Sequence, residues 1–330
     1  MNLKIKIDGK KINTVSETKI CTFKEWGLTE ESIENFVCDN LQLIFGEDTS
    51  YLLVGRQVKD KENKKNDLLA IDDEGALVLI EIKRDLDDMA HRYEALEFQA
   101  IRYCSSLATI KTPEDLVNTS YSKYIEKYDR LYTGDLTAHE RARKNLREFL
   151  FQNKCADDFN KKQRIILISS DYDKTTLSAC AWLIQNGVDI TLIKLSPMEN
   201  NGDKEVDISV VLPSKKESDY FVDLLSNYES FETKQSRITR TNLPKMDWLI
   251  KEKLVHIGDK IYVIGHEDKK AVIKDAKNVE FEGEIMTFNA FGCKITGWTS
   301  IQTYAWMKIE GNDKTLSELR EEKMKELKMI

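Results

Sequence analysis

Three charged residues, Asp67, Glu81 and Lys83, stand at spacings that could hold a divalent metal ion and act on a phosphate. They lie in one stretch, Asn66 to Arg84, where two apolar runs flank Asp73-Glu74-Gly75. Read as a hairpin turning at those three residues, with Asp72 opposite Ala76, the stretch sets Asp67 across from Glu81. The two-residue period of a strand puts Lys83 on the face of Glu81. Both faces of the hairpin are otherwise apolar. Leu68, Ala70, Val78 and Ile80 form one, and Leu69, Ile71, Leu77 and Leu79 form the other. Such strands belong in the middle of a sheet covered on both sides.

A charged trio at the rim of so apolar a sheet is costly unless something compensates it. A bound cation does so. Two carboxylates and a main-chain carbonyl suit Mg²⁺, a hard ion that keeps several of its waters. The lysine can orient or help deprotonate the attacking water and stabilise charge on the phosphate. A plain salt bridge at a strand end accounts for the same residues, because an E-x-K triplet alone recurs by chance. Three other residues could join the site. Glu34 lies on the helix that precedes the strands, where a solvated face is the simpler reading. Gln99 and Tyr103, four apart on a later helix, share one face and could hold a water, a phosphate or the lysine. Their simpler reading is a polar helix edge.

The elements that must position these residues follow from periodicity. Residues 1–22 read as a strand pair turning at Gly9. Thr29-Glu30-Glu31-Ser32 opens an amphipathic helix running to about Phe45, with Ile33, Phe36, Val37, Leu41 and Ile44 on its apolar side. Tyr51 to Val58 is a strand, and a long helix is expected from about Asp87 to Leu107. Residues 113–150 are helical and charge-rich. Arg164 to Ser169 and Val188 to Leu195 are strands separated by a helix from Leu177 to Asn186, and Asp207 to Leu212 closes the series. Strands alternating with helices predict an α/β domain over residues 1–213. Residues 214–240 read as a helical connector with a basic tail, and residues 241–330 as a second, smaller α+β domain.

Composition narrows the function classes. Hydrophobic residues make up 41% and charged residues 32% of the 330, which suits a folded chain with a sizeable core. No apolar run approaches the length of a membrane span, and the alternating N-terminus reads as a strand and not as a signal peptide. The six cysteines show no zinc-type spacing and are expected to be reduced, mostly buried thiols. The cytoplasm is the expected location, with no membrane partner. The net charge of -7 runs against phosphate binding, but it is uneven. Residues 241–330 hold 15 basic and 15 acidic side chains, and Lys234, Arg237, Arg240 and Lys245 form a stretch without an acid. No P-loop, GxGxxG or H-E-x-x-H motif occurs. The four histidines are scattered, and Lys59, Lys61, Lys64 and Lys65 read as a solvated loop.

Glu34, Asp67, Glu81-Ile82-Lys83 and Gln99-Ala100-Ile101-Arg102-Tyr103, in this order, resemble the PD-(D/E)XK nuclease superfamily. The likeness is nearest to its RecB-type and mismatch-endonuclease-like branch and covers about residues 25–110. Asn66 stands where the superfamily's name has proline. The resemblance implies a mixed central sheet flanked by helices, as in restriction endonucleases, and Mg²⁺-dependent phosphodiester cleavage with Mn²⁺ as substitute. It makes Asp67 and Glu81 the metal ligands, Lys83 the catalytic lysine, and Glu34, Gln99 and Tyr103 catalytic helpers.

A second likeness covers most of residues 243–322, through Leu254 to Tyr262, Ala271-Val272-Ile273, Gly297-Trp298-Thr299-Ser300 and Leu316 to Arg320. It resembles the restriction-enzyme adenine-methylase-associated domain, a small module thought to bind DNA. Here Phe288 to Cys293 replaces the usual small residues. On this reading Lys234, Arg237, Arg240 and Trp298 contact DNA, although core packing is the commoner fate of Trp298 and Trp306. The expected activity is that of a Mg²⁺-dependent DNA endonuclease acting in restriction or phage defence, with a homodimer left open. The alternative is a catalytically inactive nuclease-fold DNA-binding or scaffold protein.

Overall fold

The architecture is that of a computed structural model, which describes residues 2–8, 11–46, 49–59, 65–90, 94–129, 135–200, 202–213 and 243–327. The larger unit begins with strands β1 (Asn2–Asp8) and β2 (Lys11–Ile20). Helix α1 (Glu30–Asp39) follows, started by a capping box in which Thr29 and Ser32 exchange side-chain and backbone hydrogen bonds. The expected single helix breaks at Asn40, whose side chain donates to the Phe36 carbonyl, and resumes as α2 (Leu41–Phe45). Strands β3 (Tyr51–Lys59), β4 (Lys65–Asp72) and β5 (Leu77–Ile82) come next.

The long helix expected over 87–107 is in two pieces, α3 (Leu86–Ala90) and α4 (Leu96–Leu107). Ala95 is extended, so α4 starts afresh with Leu96, Ala100, Tyr103 and Leu107 on its buried side. Then come α5 (Pro113–Leu116), a π-helical turn over Val117–Tyr121, α6 (Ser122–Tyr128) and α7 (Ala138–Gln152). The unit closes with β6 (Gln163–Ser169), α8 (Lys174–Gln185), β7 (Ile190–Asn200) and β8 (Asp203–Leu212).

These strands make one mixed sheet in the order β1-β2-β7-β6-β5-β4-β3, with β8 also on β7. The β5–β6 and β6–β7 pairs are parallel and the rest antiparallel. A mixed central sheet flanked by helices is thus the observed class. The two faces of the β4–β5 hairpin enter different cores. Leu68, Ala70, Val78 and Ile80 pack with α1 and α2, while Leu69, Ile71, Leu77 and Leu79 pack with α4 and α7.

The hairpin turn is held by Asp72, whose carboxylate accepts the Glu74 and Ala76 amides and pairs with buried Arg164 at 2.9 Å. Gly75 takes φ +80 there, and a Cβ would lie 2.9 Å from the Cys155 carbonyl. Only glycine suits both demands. The opposite end of the same strands carries the charged trio.

The smaller unit holds α9 (Met246–Lys251) and strands β9 (Lys260–Val263), β10 (Lys270–Ile273), β11 (Asn278–Phe281) and β12 (Glu284–Thr287). Helices α10 (Phe288–Thr296) and α11 (Thr303–Trp306), strand β13 (Met307–Ile309) and helix α12 (Leu316–Glu326) complete it. Its antiparallel sheet runs β12-β11-β10-β9-β13. This unit does not stand apart from the first, as weakly linked domains would. The Thr299 and Ser300 amides donate to the Tyr51 carbonyl, Leu53 donates to Thr299 Oγ1, and Gln302 donates to Asp73 at 2.6 Å. One continuous apolar cluster includes Phe149 of the first unit and Trp298 of the second. The connector and its Lys234, Arg237 and Arg240 lie outside the described residues.

Candidate active site

Asp67 and Glu81 face each other as their spacing predicts. The ladder pairs Leu68 with Ile80 and Ala70 with Val78, and that register carried one step outward sets Asp67 opposite Glu81. On its other side Glu81 neighbours Leu167 of β6, and the Lys83 amide continues that ladder by donating to Ile168 O at 2.8 Å. Three hydrogen-bonded strands therefore fix where the charges sit. All three side chains are buried, with Glu81 at 0%, Lys83 at 3% and Asp67 at 7% exposure. The Lys83 ammonium lies 2.9 Å from Glu81 Oε1, 3.5 Å from Glu30 Oε1 and 3.7 Å from Asp67 Oδ2. Asp67 Oδ2 also accepts the Ile82 amide at 2.8 Å.

Helix α4 closes the site from one face of the sheet. Gln99 donates its amide to Glu81 Oε1 at 2.6 Å. Tyr103, one turn on, is buried with the Arg102 guanidinium 4.9 Å from its ring centre. Burial raises the Tyr103 phenol above its usual range, and the nearby Glu81 charge adds to the rise. Gln99 thus reaches the strand carboxylate, while Tyr103 hydrogen-bonds with Gln99 and Arg102.

Glu34 is buried too, but it turns elsewhere. It accepts hydrogen bonds from Arg56 Nε and, at 2.6 Å, from Gln57 Nε2. Glu30, one helical turn earlier, is the α1 carboxylate that reaches Lys83. The i,i+4 spacing of Glu30 and Glu34 puts both on one face, so the signal for Glu30 was present in the sequence. Gln57 carried no such signal. The pairs Arg56–Leu68 and Val58–Asn66 place it on the rung beside Asp67, giving a row Glu81–Asp67–Gln57 across three strands. Asp85 serves the fold, with its carboxylate clamping the Phe23 and Lys24 amides.

Trp298 packs edge-to-face between Phe149 and Trp306, at centroid distances of 5.0 and 5.1 Å, and is 4% exposed. It offers no ring face to a ligand, which is the core placement weighed above. The cysteines are all free among the described residues, and burial pushes the Cys38 and Cys155 thiols up to about 12. That rise works against either thiol acting as an activated nucleophile. No helix among the described residues is long and apolar enough to cross a membrane.

The donor chemistry of the trio can be tested against a metal. Among the described residues, no three or more His, Cys, Asp or Glu side chains are grouped to hold an ion. The trio offers fewer protein ligands than a calcium or zinc cage takes. Two adjacent carboxylates, all-oxygen and at a sheet rim, do fit an ion that takes few protein ligands and keeps its waters, as Mg²⁺ does. No protein-family model, no curated protein and no solved structure matches this chain.

Proposed function

We propose that this chain is a metal-dependent nuclease that hydrolyses phosphodiester bonds of DNA, of the PD-(D/E)XK kind. The observation that carries this reading is the convergence of Asp67, Glu81, Lys83 and Gln99 at one end of an otherwise apolar sheet. Asp67 and Glu81 would hold Mg²⁺ or Mn²⁺. When bound, such an ion supplies a Lewis acid for a phosphate oxygen and makes a coordinated water more acidic.

The chain's own residues do the rest. Gln99 fixes the orientation of Glu81 through Oε1, and the Ile82 amide fixes Asp67 through Oδ2. Lys83 brings a positive N–H donor that can hold the attacking water and stabilise charge growing on the phosphate. Its burial strengthens that interaction relative to bulk water. Nicking of supercoiled plasmid by the full chain in Mg²⁺ or Mn²⁺, compared with EDTA and with Asp67→Ala, tests the proposal. Absence of metal-dependent nicking by the wild-type chain overturns it.

A second reading, a non-catalytic DNA-binding or scaffold protein, is favoured by one observation. Lys83 forms an ion cluster with Glu81, Asp67 and Glu30 that offsets part of their charge without any metal. The same assay separates the two, because a purely structural cluster gives no metal response.

A further inference from the structure

Gln57 is a non-glycine residue held at φ +52, next to Asp67 on the strand ladder. Such backbone conformations persist only where the surroundings enforce them. Here Glu34 holds the Gln57 side chain, and the neighbouring Arg56 pairs with the same carboxylate. Beyond them a cleft of about 310 Å³ opens between β3 and α6. Arg56 and Gln57 form one wall, and Lys123, Tyr124, Lys127 and Tyr128 form the other. The Arg56 guanidinium and the Lys127 ammonium both lie over the Tyr128 ring, at 5.0 and 4.8 Å.

Three cations thus share one cleft. Arg56 is offset by Glu34. Lys123 and Lys127 are exposed; among the described residues Lys123 donates to the Thr119 carbonyl and Lys127 lies over the Tyr128 ring. Of the carboxylates that act on Tyr124, Asp129 is already paired with Arg141 and Asp39 is exposed. The described residues lining the cleft include three cations and no carboxylate, in a chain whose net charge is -7.

We infer that this cleft binds the sugar–phosphate backbone of a single nucleic-acid strand, next to the bond placed over Asp67 and Glu81. The inference rests on the nuclease reading for the direction in which the strand runs. Cations that follow a backbone, interleaved with aromatic rings, are how single strands are held without regard to sequence. At about 310 Å³ the cleft is at the small end of ligand sites, a size that suits a short stretch of one backbone.

The test measures fluorescence anisotropy of a labelled single-stranded oligonucleotide with the full chain in EDTA, across a salt series. The variants are Lys123→Glu/Lys127→Glu and, as a control of equal charge change in the smaller unit, Lys260→Glu/Lys270→Glu. Loss of two phosphate contacts should flatten the slope of log affinity against log salt by about 1.4. Binding should weaken at low salt in the cleft variant and not in the control. A blunt duplex should not distinguish the cleft variant from wild type.

An unchanged slope in the cleft variant, or an equal loss in the control, overturns the inference. A difference seen equally on blunt duplex overturns the single-strand assignment. Binding that depends on Lys123 and Lys127 without any metal-dependent cutting leaves the cleft standing and removes the nuclease reading. Cutting with no such dependence does the reverse.

Discussion

Lys83→Ala is the perturbation that reports most directly on the site. The ammonium is 3% exposed and is the common counter-charge of Glu81, Asp67 and Glu30, so its loss leaves carboxylates buried without it. Breaking a buried ion cluster by removing one partner costs about 3–5 kcal/mol. In EDTA the variant should therefore melt well below the wild type.

Metal reverses the order. A unit cation about 4 Å from another repels it by about 4 kcal/mol at an effective dielectric of 20, which sets the scale of what Lys83 opposes. Even a third of that, about 1.4 kcal/mol, is a tenfold gain in affinity. Lys83→Ala should bind Mn²⁺ at least about tenfold more tightly than wild type. An ion at about 100 times its Kd returns about 2.7 kcal/mol by mass action, so Mn²⁺ should largely restore the melting temperature. Asp67→Ala should show no Mn²⁺ shift, and both variants should fail to nick plasmid. Thermal melts across a Mn²⁺ titration, run beside the nicking assay, read all of this. If Lys83→Ala nicks DNA at the wild-type rate and its melts in EDTA and Mn²⁺ match those of the parent, the assignment of the site is refuted.

Two further outcomes test the contact between the units. Burial raises the Asp73 carboxyl from its usual 3.8 to about 6, with the Asp72 charge adding to the rise and the Ser50 amide and Gln302 opposing it. The folded chain therefore takes up a proton between those values, and ionisation above pH 6 costs the folded state. Asp73→Asn should raise the melting temperature at pH 7.5 and leave it unchanged near pH 3, which differential scanning calorimetry can follow. Trp298→Ala empties the space between Phe149 and Trp306 and should cost about 3–5 kcal/mol. Because those rings belong to a shared core, circular dichroism and tryptophan emission should report one common, lowered transition; loss confined to the smaller unit would argue for separate domains.

The hairpin was the most legible part of the chain. Its turn residues, its alternating faces and the rung joining Asp67 to Glu81 are all consequences of a period of two counted from one turn, so local pattern sufficed. The helix start at Thr29 was legible as well, but the breaks inside the two expected long helices were not. A break such as Asn40 or Ala95 leaves the hydrophobic repeat on either side intact, and periodicity reads straight across it. Glu34 shows the same limit in the site. Helical spacing put Glu30 and Glu34 on one face, but which of them meets Lys83 depends on how far α1 slides along the sheet, and packing sets that.

What the sequence determined by itself is therefore the chemistry and its short-range geometry: two carboxylates across a hairpin, a lysine two residues on, and an amide and a phenol one helical turn apart. The tertiary structure decided the neighbours. It put β6 against β5 to pin Lys83, brought α4 over Glu81, and set Gln57 beside Asp67 past an irregularity at Gly55. It also closed the second unit onto the far end of the same strands through Tyr51, Asp73 and Trp298. Contacts within a hairpin or a helical turn follow from a fixed rise per residue, which any reader of the chain can count. Contacts between elements far apart in sequence follow from which apolar faces fill one another's space, and only the folded chain holds that information.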